Sequence, residues 1–116
     1  MHNLYDCAYH LVWSTKYRKP ILEDLVAERL LEILKETALQ YESEIDTMEC
    51  GEDPVHVLCS FPPKLAISRV VTILKSWSAR LLFREFPVLR KSLWAGQLWQ
   101  GNYGEIVSML VRSVTP

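Results

Sequence analysis

Residues 4–15 alternate between apolar or aromatic side chains and polar ones. This pattern, rich in aromatic and β-branched types, is typical of a half-buried strand. One face would carry Tyr5, Cys7, Tyr9, Leu11 and Trp13. The basic segment 16–20 ends in proline, and we expect it to form a turn.

Two longer segments repeat apolar residues at helical spacing, three or four positions apart. The first runs from residue 22 to about 42; the second has Ser68 as its predicted N-cap and should stop before Pro87. The predicted buried stripe of the second helix consists of Val70, Val71, Leu74, Trp77, Ser78, Leu81 and Leu82. Trp77, in the middle of that stripe, is expected to pack in the core.

Shorter apolar segments predict further strands over 44–50 and Val55–Phe61. Residues 94–99 are predicted to form a turn that leads into a fourth strand, and 106–114 another strand whose partner is open. The order β-α-β-β-α-β is that of a ferredoxin-like α+β domain, with both helices on one face of an antiparallel sheet. We therefore predict a single domain over 1–116. Because this fold serves many roles, including RNA binding, the fold alone does not assign function.

The 116 residues carry a net charge of only -1, but the charges are unevenly distributed. Residues 22–53 hold eleven acidic residues against Arg29 and Lys35, whereas 64–91 hold seven basic residues against Glu85 alone. Such asymmetry can create a local positive surface that attracts phosphate. An ordinary solvated helix face is the competing interpretation.

The three cysteines, Cys7, Cys50 and Cys59, are odd in number and irregular in spacing. They indicate neither a disulfide framework nor a zinc motif, so we expect a reducing, cytoplasmic setting. The N-terminus lacks the apolar segment of a signal peptide, and no run approaches membrane-spanning length, so no membrane association is expected.

Residues 49–63 combine an acidic turn, a short strand with one histidine and a double proline. Alternation places positions 54, 56 and 58 on one face of that strand. Histidines at 54 and 56 would direct two imidazoles at one metal ion, but position 54 is a proline. We interpret His56 as a vestigial or weak metal ligand.

Several segments resemble one family in the right order along the chain. The opening strand Tyr9–Lys19 and the segment Asp53–Leu58 are similar to two motifs of the single-tyrosine transposases of small bacterial and archaeal insertion sequences, the 200/605 type. That family belongs to the group named for a His-hydrophobic-His motif. The other segments that resemble it are 60–64, 67–80, 86–94 and 96–99. The resemblance covers residues 4 to about 103.

The resemblance implies a DNA transposase that binds single-stranded DNA hairpins at the ends of the mobile element. In the family, a tyrosine on a C-terminal helix attacks a backbone phosphate and stays joined to the 5′ end. A divalent metal, magnesium or manganese, is held by the two histidines and a polar residue of that helix. Members usually act as dimers, so the resemblance also implies a homodimer.

The chain departs from this pattern at two places. Pro54 replaces one metal-binding histidine, and residues 104–116 contain no tyrosine-bearing helix. Tyr103 aligns with a structural aromatic of the family and is retained only as an alternative nucleophile. We therefore expect a domain without the C-terminal catalytic helix, in which DNA strand cleavage and rejoining are impaired.

Phosphate binding needs no catalytic apparatus, and guanidinium groups match phosphate oxygens well. The candidate DNA-binding residues are Lys16, Arg18, Lys19, Arg69, Arg80 and Arg84. Surface solubility would explain the same charges. For His10 we expect a packed or hydrogen-bonded role, whereas Trp94 and Trp99 are open between packing and stacking on bases.

Three functions stay open on the sequence. The first is a transposase that retains hairpin binding and little cleavage. The second is a catalytically inactive regulator, or a dominant-negative partner of an intact transposase. The third is an RNA-binding or purely structural ferredoxin-like domain.

Overall fold

The computed structural model describes residues 7–15, 24–50, 54–92, 98–99 and 106–111. The elements within these ranges follow one another in the order strand, helix, two strands, two helices, strand. They are β1 (Cys7–Trp13), α1 (Asp24–Gln40), β2 (Glu44–Glu49), β3 (Val55–Ser60), α2 (Ile67–Glu85), α3 (Val88–Ser92) and β4 (Ile106–Val111). Apart from the short α3, this is the predicted element order.

The four strands form one sheet in the order β2-β3-β1-β4, and every neighbouring pair is antiparallel. Each of the two long helices connects strands that have a third strand between them, which is the split β-α-β arrangement. The predicted ferredoxin-like α+β fold is confirmed. The strand order also identifies the partner of the last strand, which the sequence left open: β4 pairs with β1.

Both long helices cover the same face of the sheet, and alternation along β1 and β3 separates this face from the other. Leu11 and Trp13 of β1 and Val57 of β3 are fully buried in one cluster with α1 and α2 residues. His10 and His56, at the intervening positions, are half-buried on the opposite face, which no described helix covers. We call this second surface the open face.

Helix α1 ends in a Schellman motif that turns the chain into β2. The Ser43 amide donates to the Ala38 carbonyl at 2.9 Å and the Glu42 amide to that of Leu39 at 3.2 Å. These are the 6→1 and 5→2 bonds of the motif. The motif places Glu42 in the left-handed region, with φ of 57°.

Helix α2 begins at Ile67, so the prediction of Ser68 as its N-cap is wrong. The preceding Ala66 is extended and provides no side-chain cap, and the first turn is closed by the Val70 amide donating to the Ala66 carbonyl. Leu65 and Ile67 pack against the core and thereby fix the entry of the chain into the helix. The predicted end before Pro87 is confirmed, since α2 stops at Glu85.

The prediction that Trp77 packs in the core is also wrong, because its side chain is 40% exposed. Position 77 lies about 100° round the helix from the fully buried Ser78, at the margin of the apolar stripe. The guanidinium of Arg80 lies over the Trp77 ring, 5.1 Å from its centre. The indole therefore belongs to the outer surface of α2.

The strand predicted to follow the turn at residues 94–99 lies outside the described residues. Trp99 forms only an isolated bridge with Thr15, and the fourth strand of the sheet is β4. The predicted strand 106–114 is confirmed over Ile106–Val111. Residues 4–6, 93–97 and 112–114 lie outside the described part of the chain.

A buried hydrogen bond fixes Trp99 to α2. Its indole Nε1 donates to the Ser78 hydroxyl at 3.0 Å, and that hydroxyl donates to the Leu74 carbonyl at 2.6 Å. The Trp99 ring also meets Trp13 edge-to-face, with 5.8 Å between ring centres. Trp99 is therefore a packing residue, which answers the question that the sequence left open for it.

An ion pair joins the acidic helix α1 to the basic helix α2. Arg29 of α1 donates to both carboxylate oxygens of Glu85 on α2, at 2.6 and 2.9 Å. The hydrogen bond from Arg29 lowers the pKa of Glu85. Arg29 is one of only two basic residues in segment 22–53, and Glu85 is the only acidic residue in segment 64–91. Their bidentate pair joins the acidic helix to the basic one.

None of the helices in the described ranges is long and apolar enough to cross a lipid bilayer.

We expect Ser78→Ala to lower the free energy of unfolding by about 1–3 kcal/mol, because it leaves the buried Trp99 N–H without an acceptor. Urea unfolding followed by tryptophan fluorescence measures the change. Ser76→Ala, at an exposed position of α2, is the matched control and should stay within roughly 0.5 kcal/mol. Equal effects for the two variants would show that the Ser78–Trp99 bond contributes nothing.

We expect Glu42→Gly to raise the free energy of unfolding by roughly 0.5–1 kcal/mol, because glycine adopts the left-handed conformation without the steric cost of a side chain. The loss of the exposed Lys64–Glu42 pair should subtract little. Lys35→Gly, within α1 at an exposed position, is expected to lower the same quantity by about 1 kcal/mol. Thermal melts of both variants check the opposite signs.

Candidate functional site

His56 lies in the middle of the sheet on the open face. It is the second residue of β3, directly opposite Val12 of β1 on one side and Glu49 of β2 on the other. The neighbouring positions Val55 and Val57 point into the core. Because both edges of β3 are paired, the sheet holds the His56 backbone firmly in place.

The structure places His10 beside His56, a contact that the sequence analysis did not predict. His10 Nε2 and His56 Nδ1 are 3.0 Å apart, and the two rings lie 5.2 Å apart at an angle of 27°. In β1, His10 is directly opposite Leu58, so the two histidines are diagonal neighbours across the β1–β3 pair. The expected hydrogen-bonded role of His10 is thus seen, with a second imidazole as its partner.

Pro54 precedes β3 and is half-buried. Its side chain has no ligand atom, so the two-histidine arrangement that the resemblance implies does not fit this chain. Among the described residues, no three His, Cys, Asp or Glu side chains are grouped closely enough to hold a metal ion. No metal-dependent step can therefore be derived for residues 54 and 56.

An open depression surrounds the histidine pair. It has a volume of about 500 Å³ and is lined by His10, Thr47, Glu49, His56 and Leu58, which come from three adjacent strands. Glu49 is exposed and is the only acidic residue of this lining. The depression thus presents two imidazoles and one carboxylate to solvent.

Burial disfavours the thiolate form of both described thiols, Cys50 and Cys59. Burial raises the pKa of Cys59 to about 12, with a smaller contribution from the charge of Asp46, and burial also raises the pKa of Cys50. A thiol must lose its proton to attack or to bind a metal. Cys59 lies in the core, on the other side of the sheet from His56.

Three predicted phosphate ligands lie along the outside of α2. Arg69, Arg80 and Arg84 are all exposed, and we call them the α2 arginine row. Arg69 and Arg80 are eleven residues apart, which is close to three helical turns and about 17 Å along the axis. Arg84 lies in the last turn beside Glu85, whose carboxylate is bound to Arg29.

The α2 arginine row and the histidine pair lie on opposite sides of the sheet. Helix α2 packs on the face that carries Leu11 and Val57, whereas His10 and His56 belong to the open face. The structure therefore presents two separate candidate surfaces, one basic and one with imidazoles.

Four other predicted residues cannot be placed. They lie outside the described residues and are Lys16, Arg18, Lys19 and the alternative nucleophile Tyr103. Trp94 also lies outside the described residues. What the sequence analysis missed was the partnership of His10 with His56. One signal was available, because both residues occupy strand positions that alternate with buried ones, but only the strand register makes them neighbours.

Comparison with known proteins gives a family. Residues 3–109 match the family model described as "Transposase IS200 like". The chain is 43% identical over 100 residues to the ISDra2 transposase TnpA of Deinococcus radiodurans, covering 86% of this chain and 71% of that protein. It is 28% identical over 102 residues to the transposase for insertion sequence element IS200 of Salmonella typhimurium, covering 88% of this chain and 67% of that protein.

A solved structure agrees with these relatives. The fold is similar to the crystal structure of a protein from Deinococcus radiodurans R1 described as a transposase, with a TM-score of 0.77 and 37% sequence identity. The match covers 99% of this chain and 84% of that one. Sequence and fold therefore lead to the same conclusion: the chain belongs to the IS200-like transposase family.

Proposed function

We propose that this transposase-family chain binds single-stranded DNA hairpins at the ends of an insertion sequence, and that its basic residues provide most of the affinity. The observation that carries the proposal is the exposed α2 arginine row. Phosphate attraction of this kind is independent of sequence and needs no metal. Lys16, Arg18 and Lys19 are proposed as a second set of phosphate ligands.

The charge arrangement around α2 supports this proposal. Glu85, the single acidic residue of the basic segment, is bound to Arg29 and so cannot fully offset the arginines beside it. The acidic residues of α1 lie on the other helix. A phosphate approaching α2 therefore meets a mainly positive surface.

Trp77 supports an unpaired rather than a fully duplex ligand. An exposed indole with a guanidinium over it offers a base a flat surface and offers the adjacent phosphate a charge. Proteins that bind single strands combine stacking surfaces with basic grooves in this way. The loop or flank of a hairpin would supply the unpaired base.

The ancestral reaction of the family, strand cleavage and rejoining through a 5′-phosphotyrosine with magnesium or manganese, is proposed to be impaired here. Pro54 removes one of the two imidazoles that hold the metal in the family. A phenol is a weak nucleophile near neutral pH, and it needs the phosphate to be positioned and its charge neutralised. His56 alone offers one ligand of the original pair.

Pro54 also favours the alternative function, a catalytically inactive DNA-binding regulator or a dominant-negative partner of an intact transposase. Such a role requires binding and dimerisation without cleavage. We propose a homodimer that uses the edge of the sheet, since β4 is paired only on its β1 side within the described sheet. From the cysteine pattern we place the protein in the cytoplasm.

We expect Arg80→Glu to weaken binding to a DNA stem-loop roughly tenfold or more, because one charge-assisted phosphate contact is lost and a repulsion is added. The slope of log affinity against log salt should fall by about 0.7–0.9 for each contact removed. Fluorescence anisotropy across a salt series measures both quantities. Arg69→Glu should act in the same direction.

Lys35→Glu is the matched control, since it makes the same charge change at an exposed position on the acidic helix α1. At the same salt concentration, the affinity of this variant for the hairpin should stay within about twofold of that of the unaltered chain. Linear single strands and RNA stem-loops of the same length are run in parallel. Equal losses for Arg80→Glu and Lys35→Glu, or equal affinity for DNA and RNA, would contradict the proposed surface and its ligand.

We expect no covalent protein–DNA adduct when the chain is incubated with a stem-loop oligonucleotide in magnesium or manganese, although the oligonucleotide is bound. The physical reason is the missing imidazole at position 54. Denaturing gel electrophoresis with a labelled oligonucleotide detects the adduct. An intact family member that has both histidines serves as the positive control, and an adduct with the unaltered chain would show that Pro54 does not abolish cleavage.

A further inference from the structure

We propose that a groove beside β2 binds an extended, basic segment of a partner protein, which adds to the edge of the sheet as a further strand. The groove lies between α1 and β2 and reaches the open face at His56. It is separate from the proposed DNA surface, because the α2 arginine row lies on the other long helix.

The backbone of β2 is the first argument. In the order β2-β3-β1-β4, β2 pairs only with β3, so its outer side is an edge of the described sheet. Every second residue of an edge strand directs its backbone N–H and C=O outward, where an added strand can pair with them. A register shift between Ile45 and Thr47 interrupts β2, and the regular pairing beyond it covers 47–49. These residues offer the backbone for strand addition.

The size and the floor of the groove are the second argument. Its volume is about 1270 Å³, which exceeds the roughly 300–1,000 Å³ of pockets that hold small molecules. Leu31 of α1 and Met48 and Cys50 form its apolar part. All three are half-buried and pack against the core. These dimensions and this apolar floor suit a segment of polypeptide better than a small ligand.

The charge of the groove defines the occupant. Glu28 of α1 and Glu49 of β2 are exposed, and none of the described residues that line the groove is Lys or Arg. Complementary charge favours the right partner and suppresses wrong ones. A nucleic-acid strand would bring phosphates toward two carboxylates. The β2 edge of a second copy would bring its own acids, Glu44, Asp46 and Glu49. A basic segment is therefore the occupant that fits.

Alternation along β2 predicts the sequence pattern of the partner. Met48 is opposite Val57, on the core side of the sheet, and Glu49 is opposite His56, on the open face. An added strand alternates in the same way. One set of its side chains would lie beside Met48 and Leu31, and the other beside Glu49. The partner segment should therefore alternate apolar residues with Lys or Arg.

An eight-residue peptide of alternating lysine and valine, capped at both ends and labelled with a dye, is the probe. Fluorescence anisotropy measures its binding, and the same peptide with glutamate in place of lysine should not bind. Glu28→Lys and Glu49→Lys together should weaken binding about tenfold or more, because two attractions become repulsions. Glu36→Lys makes the same charge change on α1 outside the groove and should stay within about twofold.

Methylated peptides separate strand addition from simple charge attraction. N-methylation of every lysine or of every valine keeps the charge but removes the backbone donors on one side of the peptide. One of these two peptides should bind at least tenfold more weakly than the parent, because its pairing side is blocked. Equal binding by all three peptides would overturn the proposal, as would an unchanged affinity in the Glu28→Lys, Glu49→Lys double variant.

Hydrogen exchange on the unaltered chain keeps the test valid if a variant does not fold. The parent peptide should slow exchange of the outward backbone amides within 47–49, since these become donors to the added strand. No slowing there would contradict strand addition. Slowing by a single-stranded DNA of similar length, but not by the peptide, would show that the groove binds nucleic acid instead. Because the peptide experiments contain no DNA, their failure leaves the DNA-binding proposal to its own test.

Discussion

The antiparallel pairing of β1 with β3 is the constraint on which both faces of this domain depend. With Val12 opposite His56 and Leu11 opposite Val57, alternation sends Leu11 and Val57 into the core and the two histidines to the open face. A slip of one residue would reverse every side chain of a strand. The same register therefore determines the hydrophobic core and the 3.0 Å contact between His10 and His56.

The acidic and the basic residues of this domain are concentrated on different helices, α1 and α2. The acidic α1 and the basic α2 lie side by side, and the Arg29–Glu85 pair connects them while neutralising the single acid that would weaken the α2 surface. The apolar stripes of both helices are used in the core. Their outer faces are consequently available to differ in charge at little cost to folding, and the α2 arginine row is the result.

Local sequence patterns predicted most of the fold. The features that they missed depend on contacts between residues far apart in the sequence. Alternation along β3 and the apolar spacing of α2 are short-range signals, and both were confirmed. Trp77 was misassigned because helical spacing shows that it lies near the apolar stripe of α2, but does not show whether neighbouring elements cover its side chain. The Ser78–Trp99 bond and the His10–His56 contact join residues 21 and 46 positions apart, and no periodicity reports such pairs.

The position of Pro54 explains how this fold accommodates a proline where the resemblance to the family implies a histidine. A proline removes a backbone donor, which is costly in the middle of a central strand but tolerated at the point where a strand begins. Residue 54 lies just before Val55, the first residue of β3, and the β1–β3 register starts at that valine. A proline at this position therefore costs the described sheet no ladder hydrogen bond. Since the α2 arginine row is on the other side of the sheet, the proposed phosphate binding there is physically independent of the residue at position 54.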